Sequence, residues 1–218
     1  MKRTQKKHLL TYTKSDAIAL ALNLCLVVFE IEAVIVRVVT NGGRFGIEYY
    51  TQDSNLLMLF ASAIMSFFIV RRMVSGKAIP RWASILKLTA VTALLLTFLI
   101  VVTVLAPLYG IPYGYKLMLL MGAMYYTHLI CPLLSLLCSL VFEEHHFVKR
   151  DALWAQVYTV IYAIILTILN IAHVVDGPYP FLQVYRHPIW ETMLWAVGIL
   201  LGTYWMSRLL CRIRRRKC

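Results

Sequence analysis

RWASILKLTAVTALLLTFLIVVTVL, residues 81–105, holds the key to the fold. A helix rises about 1.5 Å per residue, so roughly 20 predominantly apolar residues cross a hydrocarbon core about 30 Å thick. This stretch is long enough and apolar enough to do so. Five further runs meet the same requirement, at about 16–39, 48–70, 116–142, 152–174 and 189–211. The segments between them are short and carry turn residues: Asn41-Gly42-Gly43, Ser75-Gly76 with Pro80, Pro107 to Gly114, and Asp176-Gly177-Pro178 with Pro180 and Pro188. The pattern predicts an all-α, polytopic transmembrane six-helix bundle forming one domain over residues 1–218, with no second domain between the spans.

Composition agrees. The chain is 61% hydrophobic with mean hydropathy +0.73, well above a soluble domain. The first apolar run is longer than a signal-peptide core and no small-residue cleavage site follows it, so it reads as a retained helix. Twenty-two Lys and Arg against ten acids give a net charge of +12, and their placement explains it. One set of alternate loops and ends holds Lys2, Arg3, Lys6, Lys7 and Lys14, then Arg71, Arg72, Lys77 and Arg81, then Lys149 and Arg150, and last Arg208, Arg212, Arg214, Arg215, Arg216 and Lys217. The other holds Arg44, Lys116 and Arg186, with Arg37 close by inside the first run. Cytoplasmic loops retain positive charge, so both termini are expected in the cytoplasm. The basic clusters suit anionic lipid headgroups and imply no nucleic-acid partner. Five cysteines, three of them inside apolar runs, imply no disulfide framework.

Polar groups inside membrane spans are costly and mark candidate sites. The first run carries Glu30, Glu32 and Arg37; Glu30 and Arg37 lie two turns apart on one face and read as a structural pair. The second run opens with Tyr49-Tyr50-Thr51-Gln52-Asp53-Ser54-Asn55, and Thr51, Asn55, Ser62 and Ser66 then recur on one face, either as a packing seam of small and polar residues or as the lining of a cavity. In the fourth run, Tyr126-Thr127-His128 is followed by Cys131-Pro132. Pro132 removes its own amide and crowds the carbonyl of His128, so a kink beside the imidazole is expected. Asn170 and His173 end the fifth run, and Tyr179 and Phe181 in the following loop suit an interfacial aromatic belt. Glu143, Glu144, His145 and His146 form a solvated loop patch whose spacing matches no closed zinc site. Neither a metal nor a cofactor is expected.

Tyr50-Thr51-Gln52-Asp53-Ser54-Asn55-Leu56-Leu57, taken with His128-Leu129-Ile130-Cys131-Pro132 and the loop Gly177-Pro178-Tyr179-Pro180-Phe181-Leu182, resembles the bacterial branch of the androgen-induced and FAR-type six-helix membrane proteins. That group carries an aromatic-x-Thr-x-x-Ser-Asn-Leu pattern in its second helix and His-x-x-x-Pro in its fourth. Animal members hydrolyse fatty-acid esters of hydroxy fatty acids with an intramembrane threonine and histidine. The resemblance therefore implies a lipid-ester hydrolase with Thr51 as nucleophile and His128 as base, taking its substrate from the lipid of a bacterial cytoplasmic membrane. Asp53 stands where a glutamine is common in the group; it either orients His128 or pairs with Arg44 or Arg37. Ser54, Asn55 and Tyr126 are candidate donors to an oxyanion, and Asn170 and His173 candidate pocket residues. Two other readings stay open: a Cys131 nucleophile with His128, three residues away, in an acyltransferase, and a non-enzymatic module that binds lipid or a partner protein.

Overall fold

The computed structural model describes residues 13–40, 42, 46, 48–143 and 147–215. Its long helices are α1 (Lys14–Thr40), α2 (Tyr50–Ser75), α3 (Arg81–Leu108), α5 (Ala123–Phe142), α6 (Asp151–Ile171) and α7 (Ile189–Arg215), with a short α4 (Tyr113–Leu120) between α3 and α5. Among the described residues there is no strand. Six helices are long and apolar enough to cross a membrane. Outward-facing Val28, Ile35, Phe60, Phe67, Ile164, Ile168, Leu194 and Leu201 are exposed, as a lipid-facing surface requires, so the chain is an integral membrane protein.

The fourth apolar run does not form one helix. Gly122, at φ +54°, breaks it, so that α4 is a separate short element and the span begins at Ala123. A left-handed residue ends the hydrogen-bond ladder wherever it falls, and the bare backbone of glycine takes that conformation at little cost. Hydropathy is blind to such a break because the residues on both sides are apolar.

α3 is the central post. Every residue from 87 to 97 is buried, as expected of a helix that is apolar on all sides. Its small residues Ala90, Thr92 and Ala93 let neighbouring backbones approach closely. Leu26 of α1, Met58 and Ala61 of α2, Leu88, Val91 and Leu94 of α3, Cys131 of α5 and Leu210 of α7 form one continuous core.

α1 packs by a seven-residue rule. Asp16, Asn23, Glu30 and Arg37 recur at that interval on one face; Ala19, Leu26 and Ala33 alternate with them, and all of these except the half-buried Arg37 are buried. The helix thus presents a polar column to the interior and Leu24, Val28, Ile31 and Ile35 to lipid. At its start, the Thr13 amide and hydroxyl both donate to Asp16 Oδ2 at 3.0 Å, while the Asp16 amide donates to Thr13 Oγ1 at 3.2 Å. This reciprocal capping satisfies donors that a helix start otherwise leaves open.

Widened turns punctuate α3 and α5. Residues Val101–Leu105 and Tyr126–Ile130 are π-helical, each ending two residues before a proline, Pro107 and Pro132. A proline ring collides with the carbonyl four residues back; inserting one residue into the turn moves that carbonyl aside. The expected kink at Pro132 is therefore absorbed as a π-turn, in which the Cys131 amide reaches back five residues to the Tyr126 carbonyl. A third π-turn, Cys138–Phe142, is closed by the Glu143 amide on the Cys138 carbonyl at 3.0 Å. It carries Glu143 back into the bundle.

Candidate functional site

The polar start of α2 meets α1, α5 and the loop before α7. Thr51 is buried among them. Its amide donates to the phenol oxygen of Tyr179 at 3.2 Å, and its carbonyl accepts from Ser54 Oγ at 3.1 Å and from Asn55 Nδ2 at 2.5 Å. Asn55 Nδ2 also reaches the Thr127 carbonyl at 3.4 Å, tying α2 to the π-turn of α5.

Two cavities adjoin this point. The first is apolar and walled by Leu96, Ile100, Ala163, Phe181, Leu182 and Ile199, with Tyr50, Thr159, Tyr162 and Tyr179 around them. The second is a cleft where the polar groups of Glu30, Arg37, Gln52, Asn55 and Thr127 meet Ala33 and Val34. Among the described residues, Thr51 is the one that lines both.

Tyr179 and Phe181, expected as interfacial anchors, are folded inward instead and are buried. They stack at 5.3 Å, and Phe181 stacks on Trp195 at 5.0 Å. Gly177 permits this path, since any Cβ there would run into the Leu182 carbonyl. Burial pushes the Tyr179 phenol up to about 12, so it remains a neutral donor at ordinary pH.

His128 is buried in the π-turn of α5 and lines neither of these cavities. Its Nδ1 lies 2.8 Å from the Met118 carbonyl of α4. A carbonyl only accepts, so Nδ1 carries the proton and Nε2 is left as the unprotonated acceptor. Nε2 is buried without a hydrogen-bond partner. No hydrogen bond joins His128 to Thr51 or to Cys131 among the described residues. The π-turn between His128 and Cys131 rotates them apart, and the Cys131 thiol lies against the Glu30 carboxyl instead.

The other candidates scatter. Ser54 is buried and shares a 2.9 Å hydrogen bond with Thr97 of α3. Asp53 is half-buried, makes no ion pair among the described residues, and stands near Tyr158, Tyr162 and Tyr179, not beside His128. Tyr126 stacks near Phe29 at 5.6 Å and faces Glu32. Asn170 pins the loop after α6: its Nδ2 donates to the Val175 carbonyl at 2.9 Å and its Oδ1 accepts from the Val184 amide at 3.1 Å. His173 is exposed, at φ +56°, and stacks on Tyr185 at 4.2 Å. Neither Asn170 nor His173 lines a cavity with Thr51.

Glu30 and Arg37 do not pair. Both line this cleft, and Glu30 rests against the Cys131 thiol, not against a cation. Seven residues place them about 10 Å apart along the axis, too far for a direct bridge without another group between.

A second polar centre has Lys87, a cation inside the third apolar run, at its heart. Lys87 is wholly buried; its Nζ donates to Asn23 Oδ1 at 2.7 Å and Ser62 Oγ at 2.8 Å and stands 3.8 Å from Glu143 Oε1. Glu143 is thus a core residue and not part of a solvated patch; Glu144, His145 and His146 lie outside the described residues, as does Arg44. α6 is docked by a tyrosine cluster: the Tyr50 hydroxyl lies 2.8 Å from Thr159 Oγ1, and Tyr162 Oη accepts from the Tyr50 amide at 3.0 Å and donates to the Glu48 carbonyl at 2.7 Å.

No family model, curated protein or solved structure matches this chain.

Proposed function

We propose that this protein is an intramembrane lipid-ester hydrolase of the kind that the resemblance to the androgen-induced and FAR-type proteins implies, with Thr51 as nucleophile and His128 as base. The observation that carries the reading is the position of Thr51 at the junction of an apolar cavity and a cleft that holds polar groups. An ester has its reactive carbonyl where an acyl chain ends and a more polar group begins. With the chain among Leu96, Ile100 and Ile199, that carbonyl comes to the Thr51 hydroxyl.

The chemistry follows. Thr51 Oγ1 attacks the carbonyl carbon as its proton passes to Nε2 of His128, the nitrogen left free by the Met118 carbonyl. The neutral Tyr179 phenol, already against Thr51, donates to the oxyanion. Collapse expels the alkoxide, which takes the proton from His128, and water then releases the acyl group by the same steps in reverse roles. In the resting structure Thr51 faces Tyr179, and His128 borders neither cavity, so substrate entry has to bring the hydroxyl and Nε2 together. The charge asymmetry of the loops supports a cytoplasmic location for both termini, with Thr51 and His128 in the outer half of a bacterial cytoplasmic membrane.

A module that binds lipid without cleaving it is favoured by one observation, the absence of a Thr51–His128 hydrogen bond. A fluorophosphonate probe separates the two. In the hydrolase, labelling of the folded protein in detergent is lost in Thr51→Ala and His128→Ala and kept in Cys131→Ala. A folded wild type that takes no label, yet still binds fatty acid, makes the lipid-binding reading correct; label lost only with Cys131 makes it a cysteine acyltransferase.

A further inference from the structure

Four carboxylates are buried in the described part of the bundle: Asp16, Glu30, Glu143 and Asp151. Three have a cation. Asp16 pairs with Arg72, Asp151 accepts from Arg81 Nη2 at 2.6 Å, and Glu143 has Lys87 at 3.8 Å. Glu30 has none. It is 1% exposed, and among the described residues no cation pairs with it; the neutral Cys131 thiol is the one donor group against it. Lys87, the nearest candidate on the interior side, is committed to Asn23, Ser62 and Glu143. Arg37 stands two turns further along α1.

A carboxylate this deep is costly unless a proton or a cation compensates it. The cleft it lines offers more than one lone acceptor. Asn55, 3% exposed, donates from Nδ2 to the Thr51 and Thr127 carbonyls, which leaves its Oδ1 buried and without a partner. The Thr127 carbonyl lies five residues before Pro132, so in the π register of that turn the amide that would bond it does not exist; its one side-chain donor is the 3.4 Å contact from Asn55. Glu30, Asn55 and Thr127 all line this cleft, as does Arg37.

We propose that this cleft binds a small monovalent cation of sodium size, held by the Glu30 carboxylate, the Asn55 amide oxygen and the Thr127 carbonyl. The donor set is hard oxygen throughout, which suits alkali cations and not thiophilic metals. A single carboxylate matches a single positive charge, whereas a divalent ion draws on more. Carbonyls freed where a membrane helix departs from regular α geometry are a physical means of coordinating such ions. The site uses neither Thr51 Oγ1 nor His128 and stands apart from the hydrolase reading.

The test is thermal unfolding of the full chain in detergent, followed by tryptophan fluorescence, as choline is exchanged for sodium at constant pH and ionic strength. Sodium is expected to raise the unfolding temperature saturably by roughly 2–4 °C, potassium less, and Glu30→Gln to remove the sodium increment. Equal behaviour in sodium and choline overturns the proposal on the wild type alone, whether or not the variant folds. A wild type stabilised by acid but indifferent to sodium overturns it too, with a proton on Glu30 as the compensating group. An undiminished sodium increment in folded Glu30→Gln overturns the assignment to this cleft.

Discussion

Lys87 and Glu143 stand 3.8 Å apart with both side chains sealed from the surface, and Asn23 bridges them, accepting from Lys87 at 2.7 Å and donating to Glu143 at 2.6 Å. Three helices meet in this triad: α1 supplies Asn23, α3 supplies Lys87, and Glu143 follows directly on the last π-turn of α5. Removing one charge strands the other in the core. Lys87→Met is therefore expected to cost about 3–5 kcal/mol, and Lys87→Met with Glu143→Gln to recover most of that loss. Denaturation in mixed micelles, run as a double-mutant cycle, measures the coupling.

The pair between Arg81 and Asp151 is closer, at 2.6 Å, and differs in exposure. The Arg81 side chain is 61% exposed whereas that of Asp151 is wholly buried. Loss of the guanidinium leaves the Asp151 carboxylate buried, with water able to enter only from the Arg81 side, so Arg81→Ala is expected to cost about 1–3 kcal/mol, less than Lys87→Met. Asp151→Ala also strips the Val148 amide of its 2.9 Å acceptor and is expected to cost about 1–3 kcal/mol. The same denaturation assay ranks Arg81→Ala against Lys87→Met.

Tyr179 makes stability fall in alkali. Unfolded, a phenol loses its proton near pH 10, while burial holds the folded one protonated to about 12. Across that interval the folded state binds more protons. Stability that is fully present below pH 10 is therefore lost as the pH rises to 12, by about 2–3 kcal/mol in all. Tyr179→Phe is expected to lack this component. The unfolding free energies of the two proteins, compared across the alkaline range, should converge.

Ala163 offers a way to shorten the apolar cavity from the α6 side. Ala163→Phe is expected to leave the fold intact and to exclude the far end of a long acyl chain. Each methylene kept out costs about 0.8 kcal/mol, so losing two weakens a long-chain probe more than about tenfold while a short-chain probe is unaffected. Titration with fluorescent fatty acids of two lengths reads the difference.

The spans were legible because hydrocarbon imposes one demand on every residue that faces it, and a run of apolar side chains satisfies that demand visibly. Breaks and widened turns were not. Gly122 and the π-turns before Pro107 and Pro132 alter the ladder without altering hydropathy. The sequence paired Thr51 with His128 only through the resemblance, and which way the His128 side chain turns depends on one inserted residue in the α5 turn.

Lys87 was hidden for the opposite reason. A single lysine in a long apolar run changes its mean hydropathy little, and it belongs to no loop whose charge would be counted. The signal that could have found its partners lies in α1, where the interval separating Glu30 from Arg37 continues backward to Asn23 and Asp16. Such a column needs partners on facing helices, and a lysine in the third run is one of the few groups able to meet it.

That column also says which parts of the bundle can move. Asp16 is tied to Arg72, Asn23 to Lys87 and Glu143, and Glu30 lies against Cys131. Sliding or rotating α1 by a single residue would turn three polar side chains toward lipid at once, on top of breaking their bonds. α1 is therefore the stator of this protein. In the proposed hydrolase, an opening that admits a lipid to Thr51 falls to residues 158–171 of α6 and the start of α7, which meet the rest through tyrosine hydroxyls and aromatic stacking, contacts that can part and re-form without exposing a charge, while the Asp151–Arg81 pair holds the other end of α6 in place.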